Sequence, residues 1–110
     1  MNANFVHDGD AIDYTPTADV AAGDVVVQED LIGLAKRDIP ADTLGALHVT
    51  GVFDFPKATG SGTAIAFGKK VNWDATNKVV TTTAGTNKPL GKTVAAAGDN
   101  DAFVRVRLTQ

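Results

Sequence analysis

Alternation of apolar and polar positions at period two dominates this chain. It is sharpest in Phe103–Leu108, where Val104, Val106 and Leu108 point one way and Phe103, Arg105 and Arg107 the other. The same alternation runs through Ala46–Phe55, predicting one long strand: Leu47, Val49, Phe53 and Phe55 on one face, His48, Thr50, Val52 and Asp54 on the other. Gly51 lies inside that run and is expected to mark a bulge or a bend at a sheet corner, and Pro56 to end it. Shorter extended pieces are predicted at Phe5-Val6-His7, at Ile12–Tyr14 and at Leu31–Ala35. Val25-Val26-Val27 is continuously apolar, which fits a strand buried on both faces. Val71–Trp73 and Val79–Thr83 read as a hairpin, with Asn77 in its loop tolerating a left-handed backbone, and Leu90–Ala95 as a further strand. Between Lys36 and Gly45 the pattern fades, and Pro40-Ala41-Asp42-Thr43 has room for one helical turn at most.

Frequent turns between short strands predict a small all-β domain, a β-sandwich or barrel. Val, Thr and the eleven glycines support this, while Glu is nearly absent. Two similar β-units are also suggested. Gly23-Asp24-Val25, Ile32-Gly33-Leu34-Ala35 and Leu47-His48-Val49 are echoed by Gly68-Lys69-Lys70-Val71, Leu90-Gly91-Lys92-Thr93 and Val104-Arg105-Val106. At 110 residues there is room for one domain: an N-terminal segment 1–14, a candidate inter-subunit arm, and a β domain over 15–110.

Charge narrows the choice of partners. Ten Lys and Arg against thirteen Asp and Glu give a net charge of −3. The basic residues are scattered, which argues against nucleic acid as the partner. No apolar run is long enough for a membrane span, no signal peptide is visible, and the chain is expected to be soluble. With no cysteine there is no disulfide and no thiolate chemistry.

Candidate chemistry is weak everywhere. Gly85–Thr93 imitates a phosphate-binding loop, but five residues separate its glycines where four are needed, and Pro89 removes an N–H donor. His7 and His48 are far apart, and His48 is expected on an exposed strand face. Asp99 and Asp101 read as turn carboxylates, since the later Glu of a calcium loop is missing. No catalytic set, metal site or cofactor site is assembled, so an enzyme is not expected. The residues that stand out as contact candidates are Phe5, Val6, Tyr14, Trp73, Phe103, Arg105 and Arg107, with Trp73 favoured as a core anchor over a contact hot spot.

One ordered set of residues runs through nearly the whole chain: Asn4-Phe5-Val6, Gly9-Asp10, Ile12-Asp13-Tyr14-Thr15, Gly23-Asp24-Val25-Val26, Ile32-Gly33-Leu34-Ala35 and Val49-Thr50-Gly51-Val52-Phe53-Asp54. It continues with Pro56-Lys57-Ala58, Gly68, Val71, Trp73-Asp74, Lys78-Val79, Leu90-Gly91, Ala95-Ala96-Ala97-Gly98-Asp99 and Val104-Arg105-Val106-Arg107-Leu108. This resembles a family of tailed-bacteriophage and prophage capsid cement, or head decoration, proteins, whose members often carry the label RecA/RadA-type phage recombinase. The residues give that label no support. The resemblance implies a β-sandwich or jelly-roll-like virion protein that works through interfaces. It implies a homo-oligomer, dimer or trimer, assembled in the bacterial cytoplasm and bound through the major capsid protein to the outer surface of the expanded capsid. The alternatives are a nucleic-acid-binding recombination accessory protein and a sugar-binding or adhesive β-module.

Overall fold

The computed structural model describes residues 3–109, and these form nine strands and no helix. The first sheet contains β1 (Ala11–Tyr14), β2 (Val25–Gln28), β3 (Leu31–Leu34) and β4 (Gly45–His48), in the spatial order β1-β4-β3-β2. The second contains β5 (Gly51–Pro56), β6 (Lys70–Asp74), β7 (Val79–Thr81), β8 (Lys88–Thr93) and β9 (Phe103–Leu108), in the order β5-β9-β8-β6-β7. All pairings within the sheets are antiparallel. The second sheet curls until β7 reaches the end of β5, where Lys57 and Val80 form a parallel bridge. The small all-β domain expected from the pattern is therefore present, as two antiparallel sheets each built from a continuous stretch of chain.

The run Ala46–Phe55 is two strands rather than one. Gly51 has φ +120°, a backbone that side chains rarely adopt, and there the chain leaves the first sheet and enters the second. The alternation survives the corner because each strand buries alternate residues against its own core. Residues 40–43 form a turn closed by the Thr43 N–H on the Pro40 carbonyl, with Asp42 at φ 60°, and no helical turn forms. In the β6–β7 loop the left-handed residue is Lys78 (φ 56°). Asn77 instead donates its N–H (3.1 Å) and its side-chain amide (2.8 Å) to the Asp74 carboxylate, which stays below the usual carboxylate range through these bonds.

The two sheets repeat one plan. In both, the first strand pairs with the last, the last with the third, and the third with the second; β7 is an addition to the second copy. The match extends to single bonds. Gly23 N–H donates to Ala35 C=O (2.6 Å) as Gly68 N–H does to Thr93 C=O (3.0 Å). Ala35 N–H donates to Asp24 C=O as Thr93 N–H does to Lys69 C=O. The bridge Val20–Ile39 corresponds to Ile65–Ala97, and the pair Val26–Gly33 to Val71–Gly91. The suggested repeat is thus structural, with one correction. Leu34 pairs with His48 where Lys92 pairs with Arg107, so Leu47-His48-Val49 corresponds to Val106-Arg107-Leu108, two residues later than the sequence echo.

Two cores follow. The larger gathers Phe55, Ile65, Val71, Trp73, Val80, Leu90, Val104, Val106 and Leu108, with Ile32 and Leu34 contributed by one face of the first sheet. The smaller lies on the other face of that sheet: Ala35, Ile39 and Leu47, edged by the half-buried Ile12, Tyr14, Val20 and Val26. Val25 and Val27 pack on the larger core and Val26 on the smaller, as a strand apolar on both faces requires. Asp30 and Lys88 form an ion pair (2.6 Å) between the β2–β3 turn and β8.

His48 is half-buried, not exposed. Desolvation first, then the Lys36 ammonium, hold its imidazole below the ordinary value of 6.5. The unfolded chain therefore binds a proton at a higher pH than the folded one. The stability that neutral His48 contributes is complete above about pH 6.5 and is lost as pH falls towards the depressed folded value. In denaturant titrations between pH 7.5 and pH 5, His48→Gln is expected to flatten this decline. An identical slope in both proteins would reject the assignment.

Candidate interface on the outer face of the second sheet

Strand β9 sets the geometry of this surface. Val104, Val106 and Leu108 are buried, which turns Phe103, Arg105 and Arg107 outward on a sheet that has no room to tilt them elsewhere. Their neighbours follow from register: Pro56, Asp54 and Val52 on β5 stand opposite Phe103, Arg105 and Arg107. Phe103 is 59% exposed and Val52 52%. Arg105 grips the Asp54 carboxylate in a two-point contact, Nε to Oδ1 at 2.9 Å and Nη2 to Oδ2 at 3.3 Å. The pair is wet and adds little stability, but it fixes the guanidinium in place.

On the other side of β9, Arg107 stands opposite Lys92, and Lys92 opposite Lys70. All three are exposed. They make a cross-strand row of positive charge with no carboxylate partner among the described residues. Like charges set opposite one another cost stability in the free chain. Val52 ends this row opposite Arg107, and Phe103 stands on the same face four residues along β9. Lys70, Lys92 and Val52 were not singled out in the sequence, because only the register of four strands brings them together.

The other candidates lie elsewhere. Phe5 and Val6 are each 83% exposed and belong to no strand. Tyr14 is half-buried at the edge of the smaller core. Trp73 is 4% exposed and tilts against Phe55 with ring centres 6.1 Å apart, which is the core-anchor role. Gly91-Lys92-Thr93 of the phosphate-loop imitation is the end of β8, so no helix N-terminus follows it. Asp99 and Asp101 tie turns, Asp99 accepting from the N–H groups of Thr63 and Ala64 and Asp101 from that of Gly98.

None of the curated proteins and none of the solved structures compared matches this chain. A family model described as phage cement protein matches residues 6–108. That family points to a structural role in the phage capsid rather than to catalysis. The match begins at Val6, takes in both sheets and ends on the last residue of β9. On that coverage, the chain belongs to the phage cement protein family.

Proposed function

We propose that the protein binds the major capsid protein on the outer surface of the expanded phage head, through the outer face of its second sheet, and holds the shell against the pressure of packaged DNA. The observation that carries the choice of face is the row Lys70, Lys92 and Arg107, without a carboxylate partner among the described residues, with Val52 at its end and Phe103 four residues along β9. An acidic strip on the capsid offsets the repulsion inside that row, and Val52 and Phe103 on the same face supply burial. Expansion spreads the capsomers. A subunit whose footprint matches the expanded spacing shifts the lattice towards that state by differential affinity alone. Each contact is modest; repetition over the shell makes the sum large.

The test is cosedimentation of the purified protein with expanded, undecorated heads and with unexpanded proheads. Saturable binding to expanded heads alone is expected. Exchanging Lys92 and Arg107 together for Glu is expected to weaken that binding by roughly a hundredfold, about tenfold per reversed charge, with folding intact. Binding to neither particle would overturn the reading and favour a nucleic-acid or sugar ligand. Normal binding by the double variant would move the contact to another face.

A further inference from the structure

The repeat supplies an internal comparison. In the second half, β7 closes the sheet: Val79, Val80 and Thr81 pair with Asp74, Trp73 and Asn72 of β6, and Val80 bridges to Lys57 beyond β5. Val80 is 3% exposed and seals the core. The first half has no such strand, because only Glu29 and Asp30 connect β2 to β3. By register, Val27, Gln28 and Glu29 correspond to Asn72, Trp73 and Asp74, since Val26–Gly33 matches Val71–Gly91. Ile12–Leu47 likewise matches Phe53–Val106, which makes Pro16 the counterpart of Lys57. The place that β7 fills in one half is an open groove of about 560 Å³ in the other. Tyr14, Pro16, Val20 and the edge strand β2 line it, and residues of the second half, Trp73 and Lys78 among them, border it as well.

We propose that this groove takes the N-terminal segment Asn4–His7 of a second copy of the chain as an added strand, antiparallel to β2. The segment carries what such a strand needs: Phe5 and Val6 are exposed large apolar residues without a strand of their own. It is long enough to replace the three residues of β7. In its own chain the segment precedes β1 at the Ala11 end, beside His48, whereas Pro16 lies past the opposite end, and none of its residues lines the groove. An edge strand with an apolar floor is the recognised template for strand addition, in which backbone hydrogen bonds provide affinity and one inward side chain provides selectivity.

Sedimentation and amide exchange of the free protein test this without heads, so the result is independent of the capsid reading. The full chain is expected to be an oligomer with protected amides on the outer side of Val25–Gln28. The double variant Phe5→Asp, Val6→Asp changes only exposed side chains. It is expected to be monomeric at the same concentration, with those amides exchanging faster by roughly tenfold or more. An unchanged oligomer, a monomeric full chain, or equal exchange on β2 in both proteins would overturn the proposal. So would protection of β2 that appears only when expanded heads are added, which would assign the groove to a capsid segment.

Discussion

Replacing Gly91 by alanine is expected to lower the thermal unfolding midpoint by roughly 10–20 °C, corresponding to about 3 kcal/mol or more. Where the backbone suits alanine and space allows, this exchange is mildly stabilising, because alanine narrows the unfolded ensemble. Gly91 is different because of space. A Cβ built there falls 1.9 Å from the Arg107 carbonyl oxygen and 2.9 Å from its carbon. Both atoms are backbone, in the strand paired directly with β8, so neither retreats without opening the β8–β9 ladder. β8 lies in the middle of the second sheet, and the damage spreads to both neighbours. Gly33, its counterpart in the first half, meets a side chain instead, Leu47 Cβ at 2.8 Å, and Gly33→Ala is expected to cost less. Gly9 has nothing within 4 Å and serves as the control. A Gly91→Ala protein that melts within a degree or two of the parent would show that the β8–β9 contact is looser than drawn.

Lys57→Met is expected to destabilise by about 2 kcal/mol, although it keeps most of the aliphatic stem. Lys57 is 4% exposed, and among the described residues no carboxylate meets it. Its ammonium donates to the carbonyls of Ala58 (2.7 Å) and Asp101 (3.1 Å) and to the Thr63 hydroxyl (3.3 Å). Its own N–H donates to Ala102 C=O (2.9 Å) and its backbone bridges to Val80. One side chain thus ties the loop after β5 to the turn before β9 at the point where the second sheet closes. Methionine preserves much of the packing and removes all three charged hydrogen bonds, so denaturant unfolding isolates their contribution. Amide exchange is expected to rise at Thr63 and Ala64, whose N–H groups lie on Asp99 in the same knot. Stability equal to the parent would mean that the desolvation of the ammonium cancels its bonds.

Neither residue announces itself in the sequence. Lys57 follows Pro56 as an ordinary surface charge would, and its burial is decided by two loops more than forty residues apart. Gly91 reads as a weak point in a strand, and only the approach of Arg107 explains it. What was legible was local: the outward triplet of β9, the two-faced valines of β2 and the change of direction at Gly51. The repeat was legible in its glycines, Gly23 with Gly68 and Gly33 with Gly91. It slipped by two residues at β4 and β9 because an alternating Val-Arg-Val pattern looks the same after a shift of two. The face was half legible. Phe103, Arg105 and Arg107 declared themselves within one strand, while Lys70 and Lys92 needed the register.

The halves share a strand plan but differ in how completely they are sealed. The second closes on itself through β7 and the Lys57 bridge and takes Ile32 and Leu34 of the first as part of its cover, while the first leaves Ile12, Tyr14, Val20 and Val26 half in water. Opening free energies are therefore expected to differ along one small chain, the 11–48 half opening at lower cost than the 51–108 half. The basic row stands on the 51–108 half. Opening of the N-terminal half would therefore leave that row and its strand register intact.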